Sequence, residues 1–265
     1  MDSNAKHQER PLALSIAGSD SGGGAGIQAD LKTFTANGVY GATAITCVTA
    51  QNPGGVTAVQ AMPAEFVEAQ IQQVNAYFPV RVVKTGMLLN ADIVSVVAAF
   101  LRSHRVLPVV VDPVMVATSG SVLLEEEAIE AMTTELLPLA SLITPNLDEA
   151  AVLLGWNPDS SEKMEKAAVE LMERFGTAVL LKGGHLSGSV LTDWLVSPNG
   201  FKRGFNQRRL PEINTHGSGC TLASAIASQV ALGRSIEQSV ELGLAYLQAA
   251  MERPVRVNGT PWIGH

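Results

Sequence analysis

The sequence of 265 residues has little cysteine and no long apolar run. Its two cysteines, Cys47 and Cys220, lie far apart and without the spacing of a metal site, so no disulfide framework is predicted. This favours a reducing, cytoplasmic location. The first ten residues are polar, and no later segment approaches the roughly 20 apolar residues of a membrane span. We therefore expect a soluble protein that has no membrane partner.

Clustered basic charge is also missing. The chain has 18 lysine and arginine residues against 25 aspartate and glutamate residues, and its formal net charge is -7. No basic face suited to a nucleic-acid backbone is evident, so a nucleic-acid partner is not expected. The chain contains no GxxxxGK[ST] motif, which excludes a P-loop nucleotide site. Any anionic ligand must therefore be held locally by another kind of loop.

The sequence does have an alternation of short β-branched runs with amphipathic segments. Strands are predicted at 12–17, 43–50, 80–86, 109–115, 142–146 and 178–184, and helices near 26–37, 91–103, 125–137, 163–175, 219–232 and 236–251. This pattern predicts an α/β fold with a parallel sheet whose two faces are covered by helices. Residues 188–210 predict an antiparallel hairpin at one sheet edge. We expect one domain over 1–265, with loosely held ends at 1–10 and 254–265.

A glycine-rich segment, GSDSGGGAG at 18–26, follows the first strand and precedes the first helix. Backbone amides in such a loop can approach a ligand closely, although a plain strand-to-helix turn explains the same residues equally well. In the following helix, Asp30 lies beside an apolar stripe that includes Ile27 and Phe34. Because an unpaired buried carboxylate is costly, Asp30 either has a hidden donor or holds a polar ligand at a pocket floor, and the second interpretation is favoured.

A second loop, NTHGSGC at 214–220, precedes a helix rich in small residues. The free backbone amides of Gly217, Ser218, Gly219 and Cys220, at the positive end of that helix, predict a binding site for an anion such as a phosphoryl group. The same field is expected to favour the thiolate of Cys220, which predicts a proton acceptor or nucleophile. An inert buried cysteine is the alternative, and it is the interpretation given to Cys47.

Polar side chains stand where predicted strands end. Asp112 and Lys182 follow strands at the carboxyl edge, where ligands of open α/β sheets collect, so both are candidate contacts of a nucleotide or its metal. A turn-forming aspartate and an exposed strand-end lysine are the plain alternatives. Asn146 and Glu149 have the spacing of a helix capping box, and a neighbouring site would make them candidates for holding a hydrated magnesium ion.

Seven motifs occur in one order along the chain: AGSDSGGGAGIQADLKT, VTAQN, KTGML, DPVM, TPNLDEA, LLKGGH and NTHGSGCT. Together they resemble the hydroxymethylpyrimidine and phosphomethylpyrimidine kinases of thiamine biosynthesis, which are ribokinase-like enzymes. The likeness spans residues 12–250. It implies a three-layer α/β/α fold, ATP with Mg²⁺, a homodimer, and phosphorylation of a pyrimidine alcohol first to the monophosphate and then to the pyrophosphate.

Carried over motif by motif, the resemblance implies three groups of site residues. The pyrimidine pocket would be lined by Gly18, Asp30, Thr49, Gln51 and Met87. The nucleotide and its metal would be held by Asp112, Asn146, Glu149, Lys182, Thr215 and His216, with Asp112 and Glu149 as the metal ligands. Cys220 would accept the hydroxymethyl proton, where many ribokinase-like enzymes have an aspartate, beside the amides of Gly217, Ser218 and Gly219.

Two positions depart from the family's usual pattern. Thr118 stands where relatives often have a lysine, which removes a phosphate-binding cation and bears on the efficiency of the step with an already charged substrate. Ser218 stands where threonine is common, and this change is conservative.

Three other functions are compatible with these residues. A pyridoxal or pyridoxine kinase would share the cysteine-type loop and act on a heteroaromatic alcohol of similar size. A Cys-His hydrolase would pair Cys220 with His216 or His185. A regulatory binder would bind the pyrimidine without consuming ATP.

Overall fold

The computed structural model describes residues 9–52, 54–115, 124–184, 190–210 and 213–265. Its main sheet contains β1 (Leu12–Asp20), β2 (Tyr40–Asn52), β3 (Gly55–Ala61), β4 (Val80–Thr85), β5 (Val109–Val111), β6 (Leu142–Ile143), β7 (Ala178–Leu181), β8 (Val190–Val196) and β9 (Lys202–Arg208). The order across the sheet is β3-β2-β1-β4-β5-β6-β7-β8-β9. Six adjacent strands, β2, β1, β4, β5, β6 and β7, are parallel to one another, whereas β3, β8 and β9 run antiparallel to their neighbours.

Helices cover both faces of this sheet, as the alternating pattern predicts. They are α1 (Gly26–Ala36), α2 (Ala64–Tyr77), α3 (Ala91–Ser103), α4 (Glu126–Ala131), α5 (Leu147–Leu154), α6 (Ser161–Phe175), α7 (Ser218–Ala231) and α8 (Ile236–Glu252). α1, α7 and α8 enclose one hydrophobic core, and α2 to α6 enclose the other. Within β5, Val109 and Val111 face the second core while Val110 faces the first, because side chains alternate along a strand.

Several boundaries differ from the predicted ones for identifiable reasons. β5 and β6 are shorter than predicted, since Pro113 and Pro145 follow them and lack the N–H group that a strand ladder needs. The end at 254–265, expected to be loosely held, contains an antiparallel hairpin of β10 (Val255–Val257) and β11 (Thr260–Trp262). No helix in the described ranges combines the length and the apolar character needed to cross a bilayer.

A buried ion pair joins four elements at the centre of the fold. The ammonium of Lys84 on β4 lies 2.9 Å from both carboxylate oxygens of Asp30 on α1, and both side chains are completely buried. Ser15 on β1 donates to Oδ2 at 2.6 Å, and Ser224 on α7 donates to Oδ1 at 2.7 Å. Burial alone would lower the pKa of Lys84, but the charge of Asp30, followed by Cys220 and Asp112, raises it. Lys84 is therefore charged at neutral pH.

We expect Lys84→Met to lower the free energy of unfolding by about 3–5 kcal/mol, because the Asp30 carboxylate would stay buried without its counter-ion. Urea denaturation measures this loss. Lys202→Met is the matched control, since Lys202 pairs with Glu165 at 2.6 Å but the two side chains are 48% and 36% exposed. Its loss should stay within about 1 kcal/mol.

A second variant separates the lost counter-ion from lost packing. Asp30→Asn combined with Lys84→Met leaves no unpaired charge, so it should be less destabilised than Lys84→Met alone. Equal losses in Lys84→Met and Lys202→Met would show that the buried pair has no special role.

Candidate active site

The predicted site residues gather where the parallel strands end. Gly18 lies near the end of β1, Asp112 follows β5, and Lys182 follows β7. The first turn of α7 lies at the same edge, because a Cβ atom placed on Gly219 would be 3.4 Å from both Asp112 Oδ2 and Lys182 Nζ. The structure therefore brings residues 214–220, the predicted catalytic loop, together with the predicted nucleotide contacts. They meet at the edge where ligands of open α/β sheets collect.

Four of the five residues predicted for the pyrimidine pocket form a continuous group. A Cβ atom on Gly18 would lie 2.7 Å from Cys47 Sγ and 3.1 Å from Met87 Cε, so only glycine fits between these side chains. Thr49 donates to the carbonyl of the residue after Gly18 at 2.9 Å and lies 3.2 Å from Gln51 Oε1. The Thr49 hydroxyl has a single proton, which the shorter contact assigns to that carbonyl, so Thr49 lies beside the Gln51 amide at this wall.

Asp30 differs from the favoured prediction of a ligand contact. Its carboxylate is completely buried, and its two oxygens accept from Lys84, Ser15 and Ser224. The structure therefore shows the other alternative, in which buried donors satisfy the Asp30 carboxylate. A signal for the missed partner was present in VRVVKTG, because a lysine within an apolar strand needs a counter-ion when it is buried.

The glycine-rich loop binds its own aspartate. The side-chain oxygens of Asp20 accept from the N–H groups of Gly22, Gly24 and Ala25 at 2.8, 3.0 and 2.8 Å. Its carbonyl accepts from Gly23 at 3.0 Å. The amides that could approach a ligand are therefore occupied, and the plain-turn interpretation of this loop holds for residues 22–25.

The predicted catalytic loop packs against the glycine-rich loop. His216, a predicted nucleotide contact, places Nε2 3.0 Å from Asp20 Oδ2 and 3.3 Å from the amide nitrogen of Gln51. Burial alone would raise the pKa of Asp20, but the bond with His216 and the backbone N–H bonds lower it. Gly217 has φ +80°, and a Cβ atom there would lie 1.8 Å from the carbonyl oxygen of Gly24. The backbones of the two loops are thus in direct contact.

Helix α7 begins directly after Gly217 and has no side-chain cap. The N–H group of Ser218, predicted to be free, donates to the carbonyl of Thr215 at 3.0 Å. For the N–H groups of Gly217, Gly219 and Cys220, the described ranges contain no acceptor. The predicted anion-binding site therefore loses the Ser218 donor and keeps the other three at the positive end of the helix.

Cys220 is partly exposed, but its thiol does not have the lowered pKa that the helix terminus predicts. Burial raises the pKa of Cys220 to about 11; Lys84 and the N–H group of Gly26 oppose this increase, whereas Asp30 and Asp112 add to it. The prediction of a favoured thiolate is wrong for this structure, because desolvation and the two carboxylates outweigh the favourable contacts. Cys220 therefore keeps its proton at neutral pH.

Asp112 and Lys182 form a buried ion pair at the nucleotide end. Lys182 Nζ lies 3.0 Å from Asp112 Oδ1, which also accepts from Thr144 at 3.2 Å. Burial alone would lower the pKa of Lys182, but Asp112 and then Glu149 raise it. The plain alternative of an exposed lysine is wrong, because the Lys182 side chain is only 16% exposed.

Asn146 and Glu149 form the capping box that their spacing predicts. The Glu149 carboxylate accepts from the N–H group of Asn146 at 2.8 Å, and the Asn146 side chain accepts from that of Glu149 at 2.9 Å. Burial raises the pKa of Glu149 to about 7; Lys182 opposes this increase and Asp112 adds to it. A role in metal or nucleotide binding stays a prediction. Thr118 and His185 lie outside the described residues.

Two residues near the site carried no recognised sequence signal. Asp20 looks like one more polar residue of a glycine-rich turn, although an aspartate before glycines is typical of loops that bind their own side chain. Trp262 belongs to the C-terminal hairpin, and its ring meets that of His216 edge to face, with centroids 6.4 Å apart. Nothing in the local sequence connects residue 262 with residue 216.

Comparisons with known proteins agree with the motif resemblance. The hydroxymethylpyrimidine/phosphomethylpyrimidine kinase of Rhizobium meliloti (strain 1021) is 48% identical over 247 residues, covering 93% of this chain and 92% of that protein. The crystal structure of phosphomethylpyrimidine kinase from Clostridium difficile 630 matches with a TM-score of 0.81 and 41% identity, covering 91% of this chain and 99% of that one. The pyridoxal kinase of Bacillus subtilis, solved with ADP, matches with a TM-score of 0.89 and 32% identity over 97% and 98% of the two chains.

These relatives confirm the ribokinase-like three-layer fold that the motifs imply. A family model described as phosphomethylpyrimidine kinase matches residues 20–262, which is nearly the whole chain. The chain belongs to the phosphomethylpyrimidine kinase family.

Proposed function

We propose that this chain uses ATP to phosphorylate 4-amino-5-hydroxymethyl-2-methylpyrimidine, and then its monophosphate to the pyrophosphate, in thiamine biosynthesis. The observation that carries the proposal is the meeting of Cys220, the Gly219 amide and the Asp112–Lys182 pair at one sheet edge, on the side where Gln51 is held. A kinase needs these three functions: charge stabilisation, a proton acceptor and recognition of the alcohol. The family and the named activities of the relatives support this assignment.

Turnover of the pyrimidine alcohol and of pyridoxal, compared side by side with ATP, tests the substrate. Pyridoxal kinase is the second candidate because the Bacillus subtilis enzyme shares the fold over 97% of the chain. We expect the pyrimidine alcohol to be preferred and both phosphorylated products to be resolved by chromatography. A clear preference for pyridoxal would overturn the substrate assignment, and binding of the pyrimidine without ATP consumption would favour the regulatory binder.

The chemistry we propose is mainly positioning and electrostatic stabilisation, because phosphoryl transfer passes through a loose transition state. The N–H groups of Gly219 and Cys220 would donate to the oxygens of the transferring group, and the Lys182 ammonium would balance charge from the strand side. Cys220 would accept the hydroxymethyl proton as the new phosphorus–oxygen bond forms. With a pKa of about 11, only about one thiol in ten thousand is ionised at pH 7. The reaction rate should therefore rise with pH, because the fraction of Cys220 present as thiolate increases.

We expect Cys220→Ala to lower kcat by roughly 10²–10⁴-fold while the fold is kept, because the proton acceptor is removed from a helix start that tolerates a small residue. Cys220→Asp should recover part of the activity at neutral pH. In the unmodified chain, log kcat/KM should rise with pH between about pH 7 and pH 9, since the acceptor is the deprotonated form of a group with pKa about 11. In Cys220→Asp the profile should be flat there, because a carboxylate is already ionised.

Steady-state assays across this pH range, with circular dichroism to verify folding, make the comparison. Near-normal turnover in folded Cys220→Ala would remove Cys220 as the proton acceptor. A pH profile shared by the unmodified chain and Cys220→Asp would do the same.

The pyrimidine pocket is proposed to consist of Gly18, Thr49, Gln51 and Met87, with Asp30 supporting it from beneath through its buried hydrogen bonds. The Gln51 amide carries two donors and an acceptor, which suits the edge of an aminopyrimidine. The backbone of Gln51 is held before a ligand enters, because its N–H group donates to Ser21 Oγ at 2.8 Å. Gly18 leaves room beside Met87 that no other residue would leave.

Gln51→Ala should raise KM for the pyrimidine alcohol by about 5–30-fold, the loss of one or two hydrogen bonds, and leave KM for ATP nearly unchanged. Initial rates with each substrate varied in turn give both constants. Gln248→Ala is the control, because Gln248 lies on α8 and its side chain donates to Glu252 at 2.9 Å. An equal rise of both constants in Gln51→Ala would place Gln51 outside the acceptor pocket.

Mg²⁺ is proposed as the metal that accompanies ATP, held by Asp112 and Glu149. Both carboxylates are buried, at 3% and 2% exposure, and Asp112 Oδ2 lies close to the start of α7. The described part of the chain contains no group of three or more ligating side chains, so the ion would take its other ligands from phosphate and water, as Mg²⁺ prefers. When bound, it would neutralise phosphate charge. Omission of Mg²⁺ from the turnover assay tests the requirement.

The resemblance assigns four further residues to the nucleotide: Asn146, Lys182, Thr215 and His216. The first three remain proposed nucleotide contacts. Lys182 has the strongest support, because its ammonium lies beside the start of α7. His216 faces Asp20 and Gln51, so we reassign it to the pyrimidine side of the catalytic loop.

A homodimer is proposed to form through β3, the edge strand of the sheet. Six of its seven residues are exposed, among them Val56 and Val59. A long exposed edge with apolar side chains pairs readily with another chain, and a second copy is the partner that the family resemblance implies. We also propose that residues 1–265 act as one domain in the cytoplasm, where ATP is available and the free thiols of Cys47 and Cys220 stay reduced.

Val59→Lys should shift sedimentation velocity from dimer toward monomer, because it places a charge in the centre of the proposed contact. Val106→Lys is the control, since Val106 is 93% exposed in the connection before β5. It should sediment like the unmodified chain. Monomeric behaviour of the unmodified chain at micromolar concentration would refute the dimer.

A further inference from the structure

We propose that the C-terminal hairpin, Val255–Trp262, is a strap that fixes the catalytic loop, and that His216 and Trp262 are positioning residues for phosphoryl transfer. This goes beyond the proposed function, and it rests on residues 217–220 being the phosphoryl-binding part of the site. Neither side chain needs to touch a substrate, because each acts through the loop that carries Gly219 and Cys220.

The strap contacts the catalytic loop through backbone and side chain. The N–H group of Asn214, the first residue of the loop, donates to the carbonyl of Pro261 at 3.0 Å. The Trp262 ring meets the His216 ring edge to face at 83°. A Cβ atom on Gly24 would lie 2.8 Å from His216 Cδ2 and 3.5 Å from the Trp262 ring, so the imidazole is enclosed between the glycine-rich loop and the strap.

The strap depends on such contacts because it forms a separate two-stranded sheet. An isolated hairpin is only marginally stable in water. Just beyond the strap, the N–H group of Gly264 donates to the carbonyl of Ala250 at 3.0 Å, and His265 Nδ1 lies 3.3 Å from Thr33 Oγ1 on α1. The strap is therefore held to the body of the fold on one side and to the catalytic loop on the other.

His216 connects the strap with the carboxylate that organises the glycine-rich loop. Asp20 is charged at neutral pH and offers only lone pairs, so the imidazole proton must lie on Nε2, 3.0 Å from Asp20 Oδ2. That nitrogen then cannot accept the N–H of the Gln51 amide, 3.3 Å away. The His216 proton is thus committed to Asp20, and the donors of Gln51 are left for a ligand.

The position of the phosphoryl-binding amides follows from this contact. Gly217 comes directly after His216 and is in contact with the carbonyl of Gly24. The backbone between His216 and Gly219 is therefore held in one position. Donors that stabilise transition-state charge must lie within hydrogen-bond distance of it, and a displacement of about 1 Å can cost roughly 10²-fold in rate. Loosening His216 should therefore reduce kcat more than it changes the binding of ATP.

Paired substitutions test the hydrogen bond and the aromatic contact separately. His216→Leu keeps apolar bulk against Trp262 but removes the donor to Asp20, and we expect kcat to fall roughly 10–100-fold with KM for ATP changed by less than about 3-fold. His216→Gln restores an N–H group and should keep most of the activity.

Trp262→Ala removes the aromatic contact and should lower kcat, and Trp262→Phe should recover it. Trp156→Ala is the matched control, because this half-buried indole bonds with Glu170 at 3.3 Å beside α6.

Hydrogen exchange followed by mass spectrometry gives a readout that does not depend on turnover. Peptides covering 213–222 should exchange faster in His216→Leu and Trp262→Ala than in the unmodified chain, and at the unmodified rate in His216→Gln and Trp156→Ala. Unchanged exchange in His216→Leu would overturn the strap, and so would an equal loss of kcat in His216→Gln and His216→Leu. Faster exchange in His216→Leu, alongside an active Cys220→Ala, would support the strap while removing Cys220 as the proton acceptor.

Discussion

The ion pair between Lys84 and Asp30 is the interaction on which the geometry of this edge depends. It lies at the junction of β1, β4, α1 and α7, and its hydrogen bonds with Ser15 and Ser224 fix the four elements together. Ser224 is one helical turn after Cys220, so the position of the Cys220 thiol is set by the buried pair. Such pairs add little stability relative to apolar residues, but breaking one is costly. The pair therefore favours one arrangement of α7 against the strands.

The charges around Cys220 are arranged as balanced pairs. Lys84 is neutralised by Asp30 and Lys182 by Asp112, on two sides of the start of α7. Glu149, whose pKa is about 7, is a further carboxylate close to Lys182 that lies outside these two pairs. A ligand that brings its own negative charge would meet ordered donors whose geometry is already fixed, which is the condition under which electrostatic stabilisation is most effective.

The sequence predicts elements whose signal is local. Helix α3 is found at the predicted bounds, because Asn90 caps it and its apolar stripe is strong. α2 escapes prediction since only Val67 and Ile71 are buried, and β3 has no alternation because nearly all of it is exposed. The sequence pattern therefore identifies the elements that bury a large apolar face and misses those that bury few residues.

The sequence predicts which residues belong to the site, but it does not predict which residues they contact. The motifs name Asp30 and Cys220, yet the counter-ion of Asp30 lies 54 residues away in the chain. The pKa of Cys220 depends on carboxylates from α1 and from the residue after β5, which no local pattern reveals. The glycine-rich loop shows the same limit, because its spacing fits a ligand cradle and a self-capped turn equally, and only the bonds of Asp20 distinguish them.

The raised pKa of Cys220 has a chemical consequence of its own. The thiolate of a cysteine is the form that attacks peroxides and alkylating reagents, and a thiol with a pKa of about 11 provides very little thiolate at neutral pH. The burial that raises this pKa therefore also protects the sulfur from oxidation. A cysteine at this position therefore stays reduced and unmodified under conditions that would oxidise a more acidic thiol.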